Sequence, residues 1–327
     1  MKQEVSTSFK RLVLLTIVFI YLVILAGGIV RSTGSGMGCP DWPRCFGKWI
    51  PPTEISELPP DYKERFKVAH HVIADFNAFK TWIEYVNRLL GAIVGGFVLA
   101  TFVGSLRYRK SKPQFVLLAC TILILTGLQG WIGAKVVASN LAQYMITLHM
   151  LIALLIVSLA LWLYQMTDMG HVIHKVELKG NWMFYIACFT LLQILLGTQI
   201  RQEIDTIAIE HQDTLRETWI SELSWKFQWH RAGALVAVAL NAVYSFLFIR
   251  KEGISSYVSQ LLLMSNAVFF VEYLAGVGMV KWDIPYFIQP VHLMLASLAF
   301  GLQFYIWLLV RPQKQSDELA AMSVAIR

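Results

Sequence analysis

His149, His230 and His292 each stand close to the start of a long apolar run, and so does Asn87. Asn87 and His230 are 143 residues apart, and so are His149 and His292. An imidazole at membrane depth is costly unless it meets a partner, so each histidine is a functional-site candidate. The plainer reading of any one of them is an interhelical hydrogen bond. The regular spacing argues instead for a site built twice. One histidine from each of two facing helices, in an apolar box, suits haem iron. Zinc or copper would usually recruit more ligands than two imidazoles. Arginines follow the same pattern: Arg88 adjoins Asn87, Arg231 adjoins His230, and Arg31 and Arg201 close two other apolar runs. Guanidinium groups there can pair with propionate carboxylates, the alternative being snorkelling to lipid headgroups.

The elements that must position these residues are membrane helices. The 327-residue chain is 56% hydrophobic, with a mean hydropathy of +0.55, which excludes an ordinary soluble domain. Eight runs approach the length needed to cross a hydrocarbon core: about 11–30, 83–106, 115–137, 144–165, 182–200, 227–249, 257–280 and 287–310. The predicted fold is an all-α polytopic bundle. Leu25–Arg31 and Leu195–Arg201 share a pattern 170 residues apart, 27 more than 143, the extra length of the first outer loop over the third. Gln129 aligns with Glu272 and Gly133 with Gly276 at 143. We therefore expect two tandem four-helix halves, 1–166 and 181–312, joined by an inner linker, 167–180, and followed by a tail, 313–327. An even helix count per half makes this a parallel repeat. Arg107, Arg109, Lys110, Arg250 and Lys251 flank short loops and place both termini in the cytoplasm. The histidines then lie near the outer face. The first run continues to Arg31 without a small-residue cleavage pattern, so it reads as a membrane helix and not a signal peptide. The expected surroundings are a lipid bilayer, with no nucleic-acid partner. The sequence leaves homo-oligomerisation open.

The loops carry the remaining candidates. Cys39 and Cys45 flank five residues that include two prolines, and a disulfide or redox pair in an oxidising compartment fits them better than zinc. His70 and His71 read as surface residues, though either is a conceivable extra ligand. Cys120 and Cys188 sit in apolar runs as packing residues. The glycine-rich stretch 32–38 follows a helix rather than a strand, which argues against a phosphate loop. Phe66, Ala69, Ile73 and Phe76 recur at helical spacing and predict a short amphipathic helix on the outer surface. The acidic segment 202–224 reads as a solvated loop. Glu84 lies one turn before Asn87 and four residues before Arg88, so it is either a catalytic carboxylate or the partner of that arginine. Glu272 is a buried carboxyl whose role stays open.

The stretch Gly27–Pro43, together with Glu84-Tyr85-Val86-Asn87-Arg88, Leu148-His149, His230-Arg231 and Pro290-Val291-His292, resembles the haem A synthase family over about residues 10–310. That resemblance implies a membrane oxidoreductase converting the C8 methyl of haem O to a formyl group. It implies eight helices, haem b held in the C-terminal half by His230 and His292, and substrate haem in the N-terminal half at His149. It also implies a functional glutamate, here Glu84. Haem O synthase would supply the substrate and a haem-copper oxidase would receive the product, at the inner (plasma) membrane. Most members carry a histidine where this chain has Asn87, so ligation does not carry over to that position, and a substrate iron held by His149 alone would keep one face open. A dihaem electron-transfer cytochrome without haem chemistry is the alternative. A thiol-oxidising protein centred on Cys39 and Cys45 is a third reading.

Overall fold

A computed structural model describes residues 4–68, 73–139, 141–167 and 181–311. Eight long helices dominate it: α1 (Thr7–Ser32), α2 (Ala78–Ser105), α3 (Pro113–Ala138), α4 (Gln143–Thr167), α5 (Asn181–Glu210), α6 (Trp225–Glu252), α7 (Tyr257–Lys281) and α8 (Ile288–Val310). Each is long and apolar enough to cross a membrane, and the chain is a multi-pass membrane protein. Local chemistry sets several of their ends. Ser6, Asn77, Ser224 and Ser256 accept amide hydrogen bonds as N-caps, and Pro113 opens α3. Gly34, at φ +62°, turns the chain out of α1, while the Ser35 amide bonds back to the Val30 carbonyl at 2.8 Å. The glycine-rich stretch is thus a helix stop. His70 and His71, the linker from 168 and the tail from 312 lie outside the described residues.

Within the first half, α1 packs on α2, α2 on α3, α3 on α4 and α4 back on α1. The second half repeats that order with α5, α6, α7 and α8. The two rings meet mainly where α8 packs on α1 and α4. Close approach there needs small residues: a methyl group on Gly28 would come within 3.1 Å of Pro290 Cβ. The apolar core of the first half gathers Phe9, Val13, Ile17, Phe115 and Leu163, and that of the second gathers Met183, Phe248, Leu262 and Ile306.

Two outer segments differ from expectation. Of the stretch read as an amphipathic helix, the described residues 66–68 and 73–76 are not helical, a short helix, Tyr62–Arg65, precedes them, and Ala69 lies outside the described residues. Phe66, Ile73 and Phe76 instead pack on a small core with Phe46, Tyr62, Cys39 and Cys45. The Phe66 and Phe76 rings meet Phe46 edge-on at 5.5 and 5.8 Å, beside the disulfide. The acidic segment is also more ordered than a solvated loop. Helix α5 runs on to Glu210, and a short helix, Arg216–Glu222, buries Trp219 beneath it.

Candidate functional site

His230, in the second turn of α6, and His292, near the start of α8, line one cavity of about 660 Å³ in the C-terminal half. Their ring centroids are 6.4 Å apart and their planes cross at 82°. Two metal–nitrogen bonds of about 2 Å, plus about 1 Å from each nitrogen to its ring centre, total about 6 Å. An iron atom between the rings therefore fits this separation. A glycine faces each ring. Methyl groups placed on Gly197 of α5 and Gly276 of α7 would come within 3.3 Å of Cε1 of His230 and His292 respectively. His292 Nδ1 lies 3.2 Å from the Glu272 carbonyl and 3.4 Å from its carboxylate. Donation from Nδ1 leaves Nε2 with its lone pair, the usual support for a ligating imidazole. Glu272, read from the sequence only as a buried carboxyl, thus acquires a neighbour. Arg201 and Arg231 line the same cavity, Arg231 with its guanidinium over the Phe227 ring at 5.6 Å.

A larger cavity, of about 1520 Å³, lies mostly against the N-terminal half, lined there by Glu84, Asn87, Arg88, His149 and Arg31, and is closed on its other side by residues of the second half such as Asp205 and Trp219. His149 again faces a glycine: a methyl group on Gly133 would lie 3.5 Å from its Cε1. Gln129, the residue that aligns with Glu272, donates to the His149 carbonyl at 2.7 Å. The fourth position breaks the pattern. Gly27 is the counterpart of Gly197, yet a methyl group there would touch nothing within 4 Å, because Asn87 does not fill the space. Asn87 Oδ1, His149 Nδ1, His230 Nδ1 and Arg31 Nε are buried without a hydrogen-bond partner. Desolvated polar atoms without partners are expensive, so both cavities suit a polar-edged ligand better than packed side chains. Among the described residues no three His, Cys, Asp or Glu side chains gather as a metal cluster. The donor set of paired imidazoles and nearby guanidiniums fits haem.

The structure gives Glu84 and Arg88 a second role. Cys39 and Cys45 are joined as a disulfide. Glu84 accepts from the Cys39 amide at 2.8 Å and from Arg88 at 2.5 Å. Arg88 also donates to the carbonyls of Cys39, Asp41 and Arg44. Thr81 donates to the Gly38 carbonyl at 2.9 Å, and the loop crosses α2 so closely that a methyl group on Gly38 would fall 2.6 Å from the Lys80 carbonyl oxygen. The buried Glu84–Arg88 pair thus ties the disulfide loop to the helix that carries Asn87.

Sequence reasoning missed two carboxylates, both on the part of α5 beyond the apolar run. Asp205 bridges Arg31 at 2.8 Å and Arg201 at 2.7 Å. Glu203 holds Lys226 and the amide and hydroxyl of Ser224, fixing the entrance to α6. The spacing of four between Arg201 and Asp205 was a visible signal for the first. Gly28, Arg31, Met150, Arg201, Gln289 and Leu293 line both cavities, which therefore share a wall.

These features define a class: a polytopic helical membrane protein with two adjacent, histidine-bearing cavities. Residues 10–304 match the sequence profile of the COX15-CtaA family, cytochrome oxidase assembly proteins, and the chain belongs to that family. It is similar to the protein named Heme A synthase in Shewanella oneidensis, at 28% identity over 64% of this chain and 62% of that protein. Its likeness to Heme A synthase of Shouchella clausii is 24% identity over 93% and 98% of the two chains. For Heme A synthase of Geobacillus kaustophilus it is 23% over 91% and 90%. The match thus spans about three fifths of the Shewanella protein and nearly all of the Shouchella one.

Proposed function

We propose that this protein is a haem A synthase, an oxidoreductase of the inner (plasma) membrane that oxidises the C8 methyl of haem O to a formyl group. The carrying observation is the doubled cavity: His230 and His292 face one another across the smaller chamber, and His149 lines the larger with a carboxylate, Glu84, at its rim. In this reading His230 and His292 hold haem b, which supplies one-electron transfer when bound. Arg201 and Arg231 meet its propionates. The larger cavity takes haem O, with His149 as iron ligand, Arg31 on the carboxylate side and Glu84 near the reacting edge. Over the whole conversion the methyl carbon would give up four electrons, to an external electron acceptor, and four protons, and take its oxygen from water. A carboxylate at that edge would accept a proton or offset positive charge as the methyl becomes an alcohol and then a hydrated aldehyde that loses water. Arg88 holds Glu84 in place and fastens the loop. Haem O synthase is the upstream partner and haem-copper oxidase the recipient.

The test is haem extraction from cells making this protein together with a haem O synthase. Hydroxymethyl and formyl haems are expected, and Glu84→Ala should reduce both. Unmodified haem O beside two bound haems would favour an electron-transfer cytochrome instead. The 660 Å³ cavity alone fits either outcome, whereas a carboxylate beside a larger chamber with one histidine favours the synthase.

A further inference from the structure

Three of the four repeat positions carry an imidazole against a glycine. The fourth carries Asn87 near an uncontacted Gly27. On the C-terminal side, the counterpart of Gly27 is filled by the His230 ring; on the N-terminal side that volume stays open. Gly91, one turn after Asn87 on the same face of α2, also has nothing within 4 Å of its methyl position. An amide is shorter than an imidazole and a weak ligand for iron. Asn87 Oδ1 is buried and has no partner, although the residue lines the cavity.

We propose that haem in the N-terminal cavity is ligated on one side only, by His149, and that the space between Asn87, Gly27 and Gly91 is a pocket for a small exogenous ligand. This deepens the proposed function and rests on haem occupying that cavity. The ligand class is a diatomic molecule, water or a small heterocycle, bound at the open axial position. Asn87 hydrogen-bonds it through an amide that can donate or accept. Such an arrangement separates the roles of the two chambers: two imidazoles saturate an iron and suit electron transfer, while one imidazole leaves it reactive.

The experiment uses the full-length protein loaded with haem in cells, with haem per chain measured by pyridine haemochrome. Carbon monoxide and imidazole are then titrated, the first into the reduced and the second into the oxidised protein, and visible and electron-paramagnetic spectra are recorded. We expect two haems per chain, one low-spin and indifferent to both probes, the other high-spin and saturable by each. Asn87→His should convert the second haem to low-spin and weaken carbon monoxide binding at least tenfold. Gly27→Leu, which fills the pocket without adding a ligand, should weaken imidazole binding while leaving the haem high-spin. Asn87→Ala should still bind imidazole, which distinguishes open space from a collapsed site. Two low-spin haems in the wild type, neither binding carbon monoxide, would overturn the proposal and leave the function standing. A single haem per chain, lost on His230→Ala, in cells that also make a haem O synthase would overturn the proposal together with the reading it rests on.

Discussion

Gly197→Ala, with its repeat counterpart Gly27→Ala as control, tests whether the glycines are cut to the imidazoles they face. The added methyl at 197 would meet His230 Cε1 at 3.3 Å, tighter than an ordinary carbon contact, and nothing at 27 lies within 4 Å. Relief at 197 requires His230 to shift by a few tenths of an ångström, beyond the roughly 0.2 Å that metal–ligand distances tolerate. Overpacking of this kind costs about 1–3 kcal/mol, offset by about 1 kcal/mol for removing a glycine from a helix. The net cost is about 0–2 kcal/mol, up to about a 30-fold loss in haem retention if it falls on ligation. At Gly27 only the helix gain remains. Haem per chain and the low-spin signal of detergent-purified protein are the assay, with Gly197→Val as the stronger variant. Equal haem retention by Gly197→Val and wild type, or a loss confined to Gly27→Ala, would refute the reasoning.

Further outcomes follow from the outer rim. Arg88→Ala leaves Glu84 buried and unpaired, a loss of about 3–5 kcal/mol, so the Cys39–Cys45 bond should be reduced and labelled faster by thiol reagents. Glu84→Gln should do so less, because an amide oxygen still accepts from Cys39. Asp205→Asn should change the thermal midpoint little, since a partly exposed pair contributes about 0–1 kcal/mol, yet it frees Arg31 and Arg201 and should slow haem loss on dilution; Arg201→Ala should hasten it. Hydrogen bonds from the Thr53 amide, Lys48 and the Thr53 hydroxyl hold Glu57 down to about 2. A depressed carboxylate stabilises the folded loop above its ordinary value of about 4.3, and that stability is lost as pH falls toward 2. Fluorescence of Trp49, which follows the Glu57 partner Lys48 in the chain, should change in that window, and Glu57→Gln should flatten the response.

The eight spans were legible because twenty apolar residues without paired charge have few alternatives to a membrane helix. The histidine spacing stood out for a related reason, since polar residues at that depth are rare, and the three histidines do line the two cavities. Hydropathy is silent where a helix leaves the bilayer, so the overrun of α5 and its Asp205 went unread. Periodicity misled at Phe66, Ile73 and Phe76, because helical spacing does not reveal that these side chains pack on the disulfide core. The hold of Arg88 on three loop carbonyls joins residues over 40 positions apart and left only its pairing with Glu84 visible.

The common partition formed by Gly28, Met150, Leu293 and their neighbours bears on traffic between the chambers. Charge leaving one side has a few side chains to tunnel through, so no diffusing shuttle need be threaded into the bundle. The same thinness means that neither occupant is insulated from the other. With haem in both chambers, as proposed, enlarging a partition residue such as Leu293 would register at both irons at once, making each chamber a reporter on its neighbour.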